Sequence, residues 1–184
     1  MKTIVKILSV ALVAVIFSTN FVNAQVVNKE NFEQAAKRAE KLVKLTEKKP
    51  KESGATNIDG FVNSVHTLSI KSVELTEELK NLYKRSIGET KDGVTDVTVK
   101  TPTLEECLDL WETIKTQADA IAVISKTAES IANEVKSLDK KLALKVVKPI
   151  KFTKDAIPFL VEESGFQVKA IKEMIETLKT SDNL

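Results

Sequence analysis

The chain is poor in residues that do chemistry: one histidine, one cysteine, one tryptophan and one tyrosine among 184. With His66 alone, no serine or cysteine triad can be assembled. Zinc sites and the carboxylate-bridged metal sites of helical bundles call for more histidine or cysteine ligands than this. The five glycines are scattered and make no phosphate-binding spacing. Cys107 has no second cysteine to pair with, so an internal disulfide is excluded. Neither a cofactor nor a metal is expected, and the chain reads as a non-enzyme.

Long apolar runs are equally scarce. The one that exists, Ile7 to Phe17, follows Lys2 and Lys6 and precedes Val22-Asn23-Ala24, a small-residue cleavage site. Its 11 residues are short for a membrane span, which needs about 20. Residues 1–24 therefore read as a cleavable signal peptide, and residues 25–184 as a single helical-bundle domain starting at Gln25. The residue immediately after the cleavage point is Gln25, not a cysteine, so lipid anchoring is not expected. The expected location is outside the cytoplasm, periplasmic or extracellular. The lack of any Asn-x-Ser/Thr sequon favours a bacterial exported protein.

An excess of charge of one sign is also missing. The full chain has 28 basic and 26 acidic residues, and losing Lys2 and Lys6 with the leader makes them equal. A neutral domain gives no electrostatic support for a nucleic-acid partner.

What the sequence does have is helical periodicity. Asn31 with Gln34 reads as a capping pair opening a helix over 31–48, with Phe32, Ala35, Ala39 and Leu42 on one face. Pro50 disfavours a helical residue before it. A second helix, 56–87, places Ile58, Phe61, Val65, Leu68, Ser72, Leu75, Leu79 and Leu82 at alternating steps of three and four, a coiled-coil-like pattern with Ser72 as its polar intrusion. Thr56 with Asp59 reads as its cap, and Gly88 as its stop. Residues 89–100 read as a loop, with a turn at Asp92-Gly93. Pro102 and a Thr103/Glu106 capping box open a third helix, 102–138, whose face runs Leu104, Leu108, Trp111, Ile114, Ala118, Ile121, Ile124 and onward. Cys107 sits at the edge of that face and reads as a buried thiol. Glu105, Glu106, Asp109 and Glu112 read as a solvated first turn that complements the helix dipole.

The last helix, 141–179, is the one around which the others are expected to pack. One stripe runs Leu142, Val146, Ile150, Thr153, Ile157, Leu160, Ser164, Val168, Ile171, Ile175 and Leu178. A second holds Phe152, Phe159 and Phe166, broken by Glu163. Two stripes are wider than the single one of a surface helix. Two boundaries compete: a turn at 137–141, or a break at Pro149. The turn gives helices of matched length, so Pro149 and Pro158 are expected to kink the last helix rather than end it. The architecture is thus all-α, an antiparallel bundle of about four helices.

Lys140, Lys141, Lys145, Lys148, Lys151 and Lys154 crowd the start of that helix. Lys141, Lys145, Lys148, Lys151 and Lys154 with Phe152, Phe159 and Phe166 form the candidate interaction surface. The alternative for the lysines is a solvated face whose stems cover apolar surface. The expected function is protein binding or scaffolding by an exported, non-catalytic bundle, with an unidentified protein partner. A lipid- or membrane-interacting bundle that opens to expose the wide face is the alternative. Oligomeric state is left open. The phenylalanine stripe tests the arrangement: at least two of the three rings are expected to be buried against residues 31–48, with all three in solvent reversing the order of the two functions.

Overall fold

A computed structural model describes residues 25–89 and 98–181. The leader, the Asp92-Gly93 turn, Val94 and Val97 lie outside the described residues. Four helices make up most of the described residues: α1 (Lys29–Thr46), α2 (Thr56–Ser86), α3 (Leu104–Ser137) and α4 (Lys140–Ser181). The expected all-α bundle is what the described residues form. Among them, no helix is long and apolar enough to cross a membrane.

Side chains at the boundaries explain where each helix starts. Asn28, not Asn31, caps α1, its Oδ1 accepting from Asn31 N at 2.9 Å. At α2 the N-cap is Ala55, which has no side chain to offer. Asp59 instead reaches back to the preceding loop and accepts from Ser53 N at 2.9 Å and Gly54 N at 2.9 Å. That loop needs Gly54 at φ +90°, a left-handed conformation costly for other residues. The Thr103/Glu106 capping box is present in both directions, at 3.2 and 2.8 Å. The turn between α3 and α4 falls at Leu138–Asp139. Leu138 is extended, and Asp139 Oδ1 accepts from Leu142 N at 3.0 Å, so an aspartate cap does the work of the absent glycine or proline. Pro149 and Pro158 both lie inside the continuous α4.

The chain runs up and down. Asn57 at the start of α2 meets Glu134 near the end of α3, and Arg85 at the end of α2 meets Glu106 at the start of α3. Phe32 of α1 meets Phe166 of α4, while Lys41 meets Phe159. Helix α4 packs against all three others, a role it shares with α2.

The buried residues of α3, and the main buried row of α4, keep a strict alternation of threes and fours, whereas on α2 the buried set is wider than one such row and leaves the expected Leu68 half-buried. On α3 these are Cys107, Leu110, Ile114, Gln117, Ile121, Ile124, Ala128, Ile131 and Val135. The expected face was therefore displaced at the start of this helix: Leu108 is exposed, and Trp111 only half-buried. A 3.5-residue repeat drifts against the 3.6 of a straight helix, and over 34 residues the two faces part. On α4 the buried set is Val146, Pro149, Thr153, Ala156, Leu160, Glu163, Gln167, Ala170 and Met174, with Phe152, Ser164, Ile171 and Ile175 beside it. It contains four residues that an apolar search passes over or counts as interruptions.

Candidate functional site

Two features of this bundle are not explained by apolar packing. One is buried and one is exposed.

The buried feature is a polar layer across the middle. One apolar cluster gathers Ile58 to Val65, Ile121 to Val135 and Val146 to Leu160; a second gathers Leu75 to Leu82, Cys107 to Ile114 and Ala170 to Ile175. Where one gives way to the other, on every long helix, stand buried polar side chains: Ser69, Ser72 and Thr76 on α2, Gln117 on α3, Glu163, Ser164 and Gln167 on α4. Glu163 is wholly buried and forms an ion pair with Arg38 of α1, Nε to Oε2 at 2.6 Å. Thr76 Oγ1 donates to its other oxygen at 2.8 Å, and Gln167 Nε2 donates to Thr76 Oγ1 and to Ser72 O, both at 2.9 Å. Three helices are thereby tied at one carboxylate. Burial pushes the Glu163 carboxyl above the usual range, and the Arg38 charge and the Thr76 hydroxyl only partly offset it. Among the described residues, Ser72 Oγ and both amide atoms of Gln117 have no hydrogen-bond partner, a costly state for buried polar atoms.

The phenylalanine stripe lies along this seam. Phe152 is buried, in the same apolar cluster as Leu42, with His66 beside it at 5.9 Å between ring centroids. Phe166 is half-buried, edge-on to Phe32 at 5.2 Å and under the Arg38 guanidinium at 5.6 Å. Phe159 is half-buried beneath the Lys41 ammonium at 4.8 Å. Helix α1 is thus the cover for Phe159 and Phe166, but only Phe152 is fully buried, one ring fewer than expected. The Arg38 and Lys41 cations lie over the other two rings, with Phe32 also against Phe166. His66 likewise is not simply outward: it is half-buried, with Nε2 3.3 Å from Thr46 O at the end of α1.

The exposed feature is the outward face of the first turns of α4. Lys140, Lys141, Lys145, Lys148, Lys151 and Lys154 are all exposed. Lys151 pairs with Asp155. Lys140, Lys141, Lys145 and Lys148 enter no ion pair among the described residues. Between them stand Leu144, 70% exposed, and Val147, 49% exposed. The residues grouped from sequence therefore separate: the lysines face out, while the three phenylalanines turn toward α1 and α2. The apolar side chains that do share the lysine face, Leu144 and Val147, belong to neither expected stripe, and that was their signal in the sequence.

The remaining chemistry is structural. Arg85 donates to both oxygens of Glu106, with Nη2 2.9 Å from Oε2, and holds that carboxyl at about 2. The same guanidinium donates to the carbonyl of Lys100 at 3.0 Å, fastening the far end of the loop. Hydrogen bonds from Ser53 and Gly54 keep Asp59 below its ordinary value although burial opposes them. Cys107 is buried, as its place on the helix implies, and burial raises its thiol pKa. Among the described residues, no group of three or more histidine, cysteine, aspartate or glutamate side chains is placed to hold a metal ion.

The fold and these two features define an all-α bundle with a polar mid-layer and one basic, partly apolar end. Comparison with family models, with curated proteins and with solved structures finds no match to this chain.

Proposed function

We propose that this protein is exported behind a signal peptide at residues 1–24 and acts without catalysis, as a bundle that binds a partner or scaffolds an assembly through the start of α4. One observation carries the reading: Lys140, Lys141, Lys145 and Lys148, which enter no ion pair among the described residues, stand beside two exposed apolar side chains, Leu144 and Val147. Exposed lysines by themselves need no partner. Unburied leucine and valine within a single-sign field supply both a desolvation gain and an attraction, which is what a contact surface for an acidic partner requires. Bends at Pro149 and Pro158, where each ring removes an N–H from the helical ladder, would set this end of α4 at an angle to the core.

Two measurements test the reading. Mass spectrometry of the protein from the producing cell should find Gln25 as its first residue. A photo-cross-linking side chain at position 144 should give an adduct in those cells, and one at Glu129, exposed on α3, should not. Adducts at neither site, or equally at both, would remove the binding surface.

A further inference from the structure

We propose that the acidic partner of this face is the surface of an anionic lipid bilayer, with Leu144 and Val147 entering the headgroup layer and Lys140, Lys141, Lys145 and Lys148 lying on its charge. This rests on the binding reading above and names its partner.

Three observations favour a bilayer over an acidic protein. The first is shape. At 70% and 49% exposure, Leu144 and Val147 stand out from the helix surface rather than lining a recess. Protein partners are held by side chains packed into desolvated pockets, whereas an interfacial helix needs only a face that enters a soft, planar layer. The second is residue type. This face has lysines and no arginine, tyrosine or tryptophan, and Phe152 is turned inward. Interfaces between proteins are depleted in lysine and draw their energy from tryptophan, tyrosine and arginine. A lysine gains from an anionic leaflet as a point charge, with no fork geometry to satisfy. The third is arrangement. At about 100° per residue, Leu144, Val147 and Lys140 fall within roughly 60° of one another, with Lys141, Lys145 and Lys148 along one flank. The apolar pair therefore projects beside the concentrated charge.

Two apolar side chains alone hold a protein at a membrane only weakly, so the charge must decide the affinity, at roughly five-fold per lysine. Binding should then collapse at high salt, where the Debye length shrinks from about 10 Å at 0.1 M to about 3 Å at 1 M.

The test is co-sedimentation of the protein, in the form the producing cell makes, with vesicles of phosphatidylcholine alone or mixed equally with phosphatidylglycerol. Its N-terminus is read by mass spectrometry, so that Ile7 to Phe17 is known not to supply the affinity. A parallel arm uses beads carrying poly-glutamate. The expected result is pelleting with anionic vesicles only, abolished at about 1 M salt. Lys145→Ala with Lys148→Ala should lower partitioning about 25-fold. Leu144→Ser with Val147→Ser should weaken vesicle binding and leave bead binding unchanged. Retention on the beads without pelleting overturns the bilayer and leaves an acidic protein as the partner. Failure in both arms overturns the binding surface itself. Equal pelleting with neutral vesicles overturns the role assigned to the lysines. Circular dichroism of each variant, all at exposed positions, confirms that it is folded.

Discussion

Replacing Arg38 by methionine should cost more than the apolar face of its own helix would suggest. Helix α1 buries only Phe32, Ala35, Ala39 and Leu42. Phe32 and Leu42 are worth about 1.5–3 kcal/mol each, and the alanines less. Against this stands a carboxylate with no exposed surface whose one compensating charge is Arg38, itself 17% exposed. Removing one partner of a buried pair costs roughly 3–5 kcal/mol, because the other charge is left behind. That equals most of what docks α1. In urea unfolding at about pH 7, Arg38→Met should therefore lose about 3–5 kcal/mol. The amides of α1 should also exchange before the rest of the bundle opens.

The loss should depend on pH with a definite sign. Burial raises the Glu163 pKa, so the native protein holds that proton more tightly than the unfolded chain. This contribution to stability is present in full below about 4.3 and is lost as pH climbs through the folded value. Arg38→Met deepens that loss, so its penalty should shrink when pH is lowered to about 4.5. Glu163→Gln should remove this contribution to the slope, leaving that of the depressed Asp59 and Glu106 carboxyls, and Arg38→Met with Glu163→Leu should recover most of the stability or exceed that of the native protein. A penalty under about 1 kcal/mol at neutral pH, or one equal at both pH values, would refute the argument that this pair holds α1 in place.

Gln117→Leu should raise stability by about 1–3 kcal/mol in the same assay, since both amide atoms are buried without partners among the described residues. Ser72→Ala, which removes an unpartnered hydroxyl, should be neutral or mildly stabilising. Leu160→Ala, at a fully buried position, should cost about 2–5 kcal/mol, whereas Leu144→Ala should leave the melting temperature unchanged. Thr103→Ala should cost about 1 kcal/mol by removing the α3 cap. With the Glu106 pKa at about 2, its side of the capping box should persist unchanged down to about pH 3, as read by the chemical shift of the Thr103 amide.

The sequence by itself determined the helices, because periodicity and end signals act within a few residues of the chain. The Thr103/Glu106 box is complete in four adjacent residues and needs nothing from the rest of the molecule. Seven of the eight expected heptad positions of α2 are buried, Leu68 being the exception. The turn at 137–141 follows from matched helix lengths, while its local cause, the Asp139 cap, carries no distinct signal because aspartate is common on any charged surface. Tertiary structure alone decided which face of α3 and α4 is inside. Where stripes compete, the one buried is the one whose 3.5 spacing meets its neighbours, and on α4 that seam includes Pro149, Glu163 and Gln167. Glu163 was visible as the break in an aromatic stripe. Its partner lies 125 residues away on α1, at a position that reads like any arginine on a solvent-facing side. The outward set of α4 is decided in the same way. The lysine cluster was plain in sequence, but whether phenylalanine or Leu144 and Val147 shares its face depends on where α1 docks, and docking is a property of the whole bundle.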